Sequence, residues 1–185
     1  MQMADACHGG TGLDTEAVIA GRLVRLPKHS PVIELYGAVE EAEALIARAR
    51  LQLEARDPAT AERLYLLQRA IRLLPGVLAG AVDPGQPLRL IEEAARGLER
   101  PGGWSLTGCS PEDPDIVLAM ARLRAGDRLI ARAHEEGEVP RELASRISML
   151  LEAASYMLYA IHWSLCSRAP QGRRLIARRT AELAQ

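Results

Sequence analysis

Four groups of residues in this chain have side chains from which binding or catalysis is built. They are Gly9-Gly10-Thr11-Gly12, Lys28, Trp104 in a glycine-bearing loop, and the run Arg122, Arg124, Asp127 and Arg128. Taken singly, each has a plain role as well. Glycine-rich stretches are flexible leaders, a lysine is ordinarily solvated, and a loop tryptophan is ordinarily a hydrophobic plug. Arginines and an aspartate three or four residues apart lace the exposed face of a helix. No Ser-His-Asp order, H-E-x-x-H, Walker A or G-x-G-x-x-G stands in a usable context. Cys7, His8, Cys109, His162 and Cys166 lack ligand spacing, so no metal site is expected.

These residues must be positioned by a chain of 185 residues, 48% hydrophobic and 25% charged, the balance of one globular domain. Its 23 basic and 24 acidic residues leave a net charge of -1, which speaks against a nucleic-acid partner. Only 3% of residues are aromatic and none is Phe, while Leu, Ala, Arg and Glu recur throughout, so an all-β fold is excluded. Three scattered cysteines without a C-x-x-C pair suggest a reducing, cytoplasmic setting. The most apolar late segment, 155–166, is broken by His162, and no signal peptide or membrane span is expected.

Residues 1–29 read as an irregular leader, with Leu23-Val24-Arg25-Leu26 its one extended piece. Residues 30–168 read as a helical domain. Ser30-Pro31 and Asp57-Pro58 are cap-plus-proline starts, predicting helices over 31–56 and 58–81, the second kinked at Pro75. A shorter helix is predicted over 88–100, then long ones over 111–137 and 140–167, the first with Glu112, Asp113 and Asp115 at its positive end. The remainder, 169–185, holds Arg173, Arg174, Arg178 and Arg179 and reads as a basic tail with a last short helix. Long helices with short or medium connections make an all-α antiparallel bundle of four or five helices.

The order of local patterns resembles the PduO-type ATP:corrinoid adenosyltransferases from about Thr11 to Trp163. Thr11-Gly12 matches the start of that family's Thr-Gly-Asp-x-Gly loop, and Arg25-Leu26-Pro27-Lys28-His29-Ser30-Pro31 its Arg-Val-x-Lys-x-x-Pro segment. Tyr36-Gly37-Ala38-Val39-Glu40-Glu41 is similar to Tyr-Gly-x-Val-Asp-Glu, and Gly103-Trp104-Ser105-Leu106 to Gly-Phe-x-Leu. The signature Ala-Arg-x-x-x-Arg-Arg-Ala-Glu-Arg falls on 119–128, where Met120 and Ala125 replace two arginines and Arg124, Asp127 and Arg128 remain. The family's Asn-Arg-x-Ser-Asp falls on Leu151-Glu152-Ala153-Ala154-Ser155.

The resemblance implies a reaction in which a Co(I) corrinoid attacks C5′ of ATP and expels triphosphate, with Mg2+ accompanying the nucleotide. It implies cations on the leaving phosphates and a dry wall at cobalt. By position it assigns Arg124 and Asp127 to catalysis, Thr11, Gly12, Lys28, Arg124 and Arg128 to ATP, and Trp104 and Glu40 to the corrinoid. It further implies a homotrimer with sites between subunits. Outside that class, the sequence also reads as a catalytically impaired relative or as a helical interaction module with a basic tail.

Overall fold

The helices begin where short-range chemistry starts them. Ser30 caps α1 (Pro31–Leu53): its side chain accepts from Val32 N at 3.2 Å, Pro31 fills the first turn, and Glu34 lies at the positive end. Asp57 does the same for α2 (Pro58–Arg72), accepting from Thr60 N at 3.1 Å and from Thr60 Oγ1 at 2.7 Å. In place of a kink at Pro75, the chain ends α2 and restarts as α3 (Leu74–Ala79) with Pro75 in its first turn, where the missing N–H leaves no bond unmade. Helix α4 (Gly85–Ala95) precedes the long α5 (Asp113–Glu135) and α6 (Arg141–Arg168). The computed structural model describes residues 12–169 and 176–178.

The fold is an all-α antiparallel bundle. Helix α1 packs on α5 and α2, α5 on α6, and α4 lies against α2 and α6. Antiparallel directions follow from contacts at the ends: Ser30 before α1 donates to Glu138 after α5 at 2.8 Å, while Arg48 late in α1 grips Asp115 early in α5. Ile46, Leu64, Leu123, Ile130, Leu150 and Leu158 are among the side chains shut from solvent between them. Gly126 lets α5 sit close, since a Cβ there would meet Leu35 Cδ1 at 3.0 Å.

Two sequence expectations need correction. The leader is not irregular over 14–27: β1 (Asp14–Ile19) and β2 (Arg22–Pro27) form an antiparallel hairpin. Its two-residue turn puts Ala20 and Gly21 at φ 50° and 77°, and Ala20 N and Gly21 N donate to Leu78 O and Ala79 O at 3.0 and 2.8 Å. A left-handed alanine costs about 1–2 kcal/mol. Docking on the free carbonyls of α3 offsets that cost. In the tail, residues 176–178 are not helical but form β4 (Ile176–Arg178), antiparallel to β3 (Gly103–Ser105). Arg173, Arg174 and Arg179 lie outside the described residues, as do Cys7, His8 and Thr11. The predicted 88–100 helix is α4, shifted to 85–95.

Candidate functional site

The expected site residues fall at two ends and along one side of the bundle. Gly12 occupies an exposed turn at φ 62°, and Lys28, also exposed, donates its amide to Leu13 O at 2.9 Å. Both belong to the end where α1 begins and α5 finishes. Trp104 lies at the other end on β3, 70% exposed. The 23 residues of α5 separate the two ends by on the order of 30 Å.

Between them runs the arginine side of α5. Arg122 pairs with Glu41 at 2.6 Å and Arg132 with Glu34 at 3.2 Å, walling an open groove between α1 and α5 that Arg128 also lines. Among the described residues Arg124 and Arg128, both exposed, have no carboxylate partner. Asp127 accepts from Ser148 Oγ of α6 at 2.5 Å. Glu40 is exposed on α1, whereas Met120 is buried in α5 and Leu151 fully so in α6. Ala119 is spent in the chain's own core; Ala121 is exposed and Ala125 half-buried.

Trp104 does not act as a plug. Its ring stands 6.4 Å from that of Tyr159 on α6, tilted by 53°, and Tyr159 OH donates to Gly103 O, pinning the strand. Burial pushes the Tyr159 phenol up, opposed in part by its hydrogen bond with Ser105 and by the charge of Arg124. The resulting surface is an exposed indole and a phenol contributed by β3 and α6.

A model of the cobalamin adenosyltransferase family matches residues 8–164. The chain belongs to the cobalamin adenosyltransferase family. No curated protein matches it significantly. No helix among the described residues is long and apolar enough to cross a membrane.

Below the aromatic corner lies a cluster that sequence reasoning missed. His162 Nε2 is 2.5 Å from Ser105 Oγ, and its Nδ1 contacts Asp113 Oδ1. Asp113 Oδ2 accepts from Gly108 N and Cys109 N at 2.5 and 3.3 Å. Cys109 and Cys166 are joined by a disulfide. The expectation of scattered cysteines without ligand spacing is thereby overturned: Cys109, Asp113, His162 and Cys166 converge although 57 residues separate the two sulfurs in sequence. A signal was present in two four-residue spacings, Cys109-x-x-x-Asp113 and His162-x-x-x-Cys166.

Ser105, His162 and Asp113 also have the connectivity of an acyl-transfer triad, which no sequential motif announced. The neighbouring amides of Gly108 and Cys109 are engaged by Asp113 and so are not free to stabilise an oxyanion.

The acidic run before and within the first turn of α5 does more than complement the helix dipole. Glu112, 1% exposed, pairs with Arg56; Asp113 reaches His162; and Asp115 receives Arg48 Nε and Nη2 at 2.6 and 2.5 Å. These three contacts, to Arg48 of α1, to Arg56 just after it and to His162 of α6, hold the start of α5, and with it the Trp104 loop.

Proposed function

We propose that the chain transfers the 5′-deoxyadenosyl group of ATP, taken with Mg2+, to a reduced corrinoid. The observation that carries this reading is the exposed Trp104 indole, which stands beside Tyr159 on a strand paired with β4. A buried tryptophan would be packing; an exposed one, pinned on both sides, is a preformed wall for the corrin. In the transfer, the Co(I) electron pair forms the Co–C5′ bond as the C5′–O5′ bond breaks and triphosphate leaves with the bonding pair. Arg124 and Arg128, without carboxylate partners among the described residues, stabilise the charge that gathers on the leaving group. Lys28, Thr11 and Gly12 contribute further phosphate donors. Asp127, fixed by Ser148, accompanies Arg124 in the catalytic role, and Glu40 faces the corrinoid.

Lys28, assigned to ATP, and Trp104, assigned to the corrinoid, lie at opposite ends of one bundle, too far apart to serve one transfer within it. A site shared between copies resolves this, and we take the working assembly to be a homotrimer in the cytoplasm. A second reading, ATP binding without transfer, is favoured by Met120 and Leu151: both are buried apolar groups where the resemblance implies polar ones. Calorimetry with Mg-ATP followed by a spectrophotometric cob(I)alamin adenosylation assay separates the readings. Binding with turnover that Trp104→Ala abolishes supports the transferase. Binding without turnover selects the second reading, and neither selects an interaction module.

A further inference from the structure

The Cys109, Asp113, His162 and Cys166 corner holds a set of donors that adenosyl transfer does not use. Each residue offers one ligand atom, and these atoms all lie within 4.8 Å of one another. Asp113 and Cys166 are fully buried, His162 is 2% exposed and Cys109 6%. We propose that the dithiol form of this corner binds one zinc ion through Cys109 Sγ, Cys166 Sγ, His162 Nδ1 and Asp113 Oδ1.

A disulfide accounts for the two sulfurs alone. It gives no reason for an imidazole and a carboxylate, both shut from water, to converge on the same point. In the linked chain the Asp113 carboxylate is compensated by two amides and the imidazole, none of which involves the sulfurs. Zinc uses all four groups. With Zn–S near 2.3 Å and Zn–N or Zn–O near 2.0–2.2 Å, tetrahedral ligand atoms stand roughly 3.2–3.8 Å apart. His162 Nδ1 and Cys166 Sγ, at 3.6 Å, already form one such edge. Two thiolates, an imidazole and a carboxylate are donors that suit zinc and not magnesium or calcium.

The groups behind the ligands fit the same reading. Ser105 Oγ meets His162 Nε2 at 2.5 Å; when Nε2 carries the proton and donates to that hydroxyl, the Nδ1 lone pair is free for metal. Asp113 Oδ2 is fixed by the amides of Gly108 and Cys109, and Oδ1, which contacts His162 Nδ1 in the linked chain, parts from it so that both can ligate. The same two thiolates cannot serve a disulfide and a metal together, so the linked chain is the metal-free form. In a reducing compartment buried thiols of this kind bind metal more often than they cross-link. The ion would fasten the Trp104 loop to the end of α6, and its presence does not depend on whether the chain transfers adenosyl groups.

The test uses the full chain carrying Cys7→Ser, so that Cys109 and Cys166 are its only thiols. Reduced with a phosphine and titrated with Co2+, it should take up one equivalent with the intense visible bands of tetrahedral cobalt and thiolate-to-cobalt charge transfer in the near ultraviolet. Zinc should displace the cobalt stoichiometrically, and the chain purified under reducing conditions should carry about one zinc. His162→Gln and Asp113→Asn, which keep both thiols, should weaken cobalt binding at least tenfold, and Cys166→Ser should abolish the charge-transfer band. A reduced parent chain that develops no such band overturns the proposal. So does a folded Cys166→Ser chain that binds cobalt like the parent. Where a variant does not fold by circular dichroism, the parent's zinc content and cobalt spectrum decide.

Discussion

Arg56→Ala should destabilise the protein more than Glu112→Gln, and its cost should depend on pH. Glu112 is 1% exposed at the start of α5, while the Arg56 side chain that neutralises it is 47% exposed. Removing the carboxylate's charge releases an arginine that turns to water, at a cost of about 0.5–1.5 kcal/mol, the worth of one net hydrogen bond. Removing the arginine leaves a buried carboxylate without its cation, a class of change that costs about 3–5 kcal/mol. Protonation sets a ceiling. A glutamate with an ordinary pKa of about 4.3 can always fold in its neutral form, for about 3.7 kcal/mol at pH 7 and about 1 kcal/mol at pH 5. In the variant the folded pKa is raised above the unfolded one, so the penalty is absent below the unfolded value and grows as pH rises above it. Urea unfolding followed by tryptophan fluorescence, at fixed protein concentration, reads both variants at both pH values. An Arg56→Ala loss that is the same at pH 5 and pH 7, or smaller than that of Glu112→Gln, would refute the claim that this ion pair holds the Trp104 loop's anchor.

Three further outcomes are expected. Arg124→Ala should weaken Mg-ATP binding by about 1.5–3 kcal/mol in calorimetry, the worth of a charge-assisted hydrogen bond, and unchanged affinity would remove Arg124 from the site. Burial pushes the Asp57 carboxyl up, but its bonds from the Thr60 hydroxyl and amide, together with the charge of Arg168, outweigh this and hold it below the usual range. Its stabilisation is therefore present above the unfolded pKa and lost as pH falls through the lowered folded value; Asp57→Ala should cost about 0.5–2 kcal/mol at pH 7 and less in acid, and a pH-independent cost in urea unfolding would contradict this. Light scattering at micromolar concentration should give a trimer, and a monomer would make the shared ATP site untenable.

The sequence by itself determined the helices. Ser30-Pro31 and Asp57-Pro58 act within a few residues of themselves, and the apolar stripe from Val32 to Leu53 needs only a 3.6-residue period to specify which face is buried. The ordered motifs from Thr11 to Trp163 were likewise legible, and they led to the family that residues 8–164 match. The remaining features depend on residues far apart in the chain. The hairpin over 14–27 exists because α3 offers carbonyls to the Ala20-Gly21 turn, which alone lacks the strong turn chemistry of Asn-Gly. The strand at 176–178 exists because Gly103–Ser105 pairs with it, against a helical local preference. The exposure of Trp104, the separate partners of Glu112, Asp113 and Asp115, and the convergence of Cys109 with Cys166 arise the same way. Each is fixed by a contact across dozens of residues, where local propensity carries no information and packing of the bundle supplies all of it.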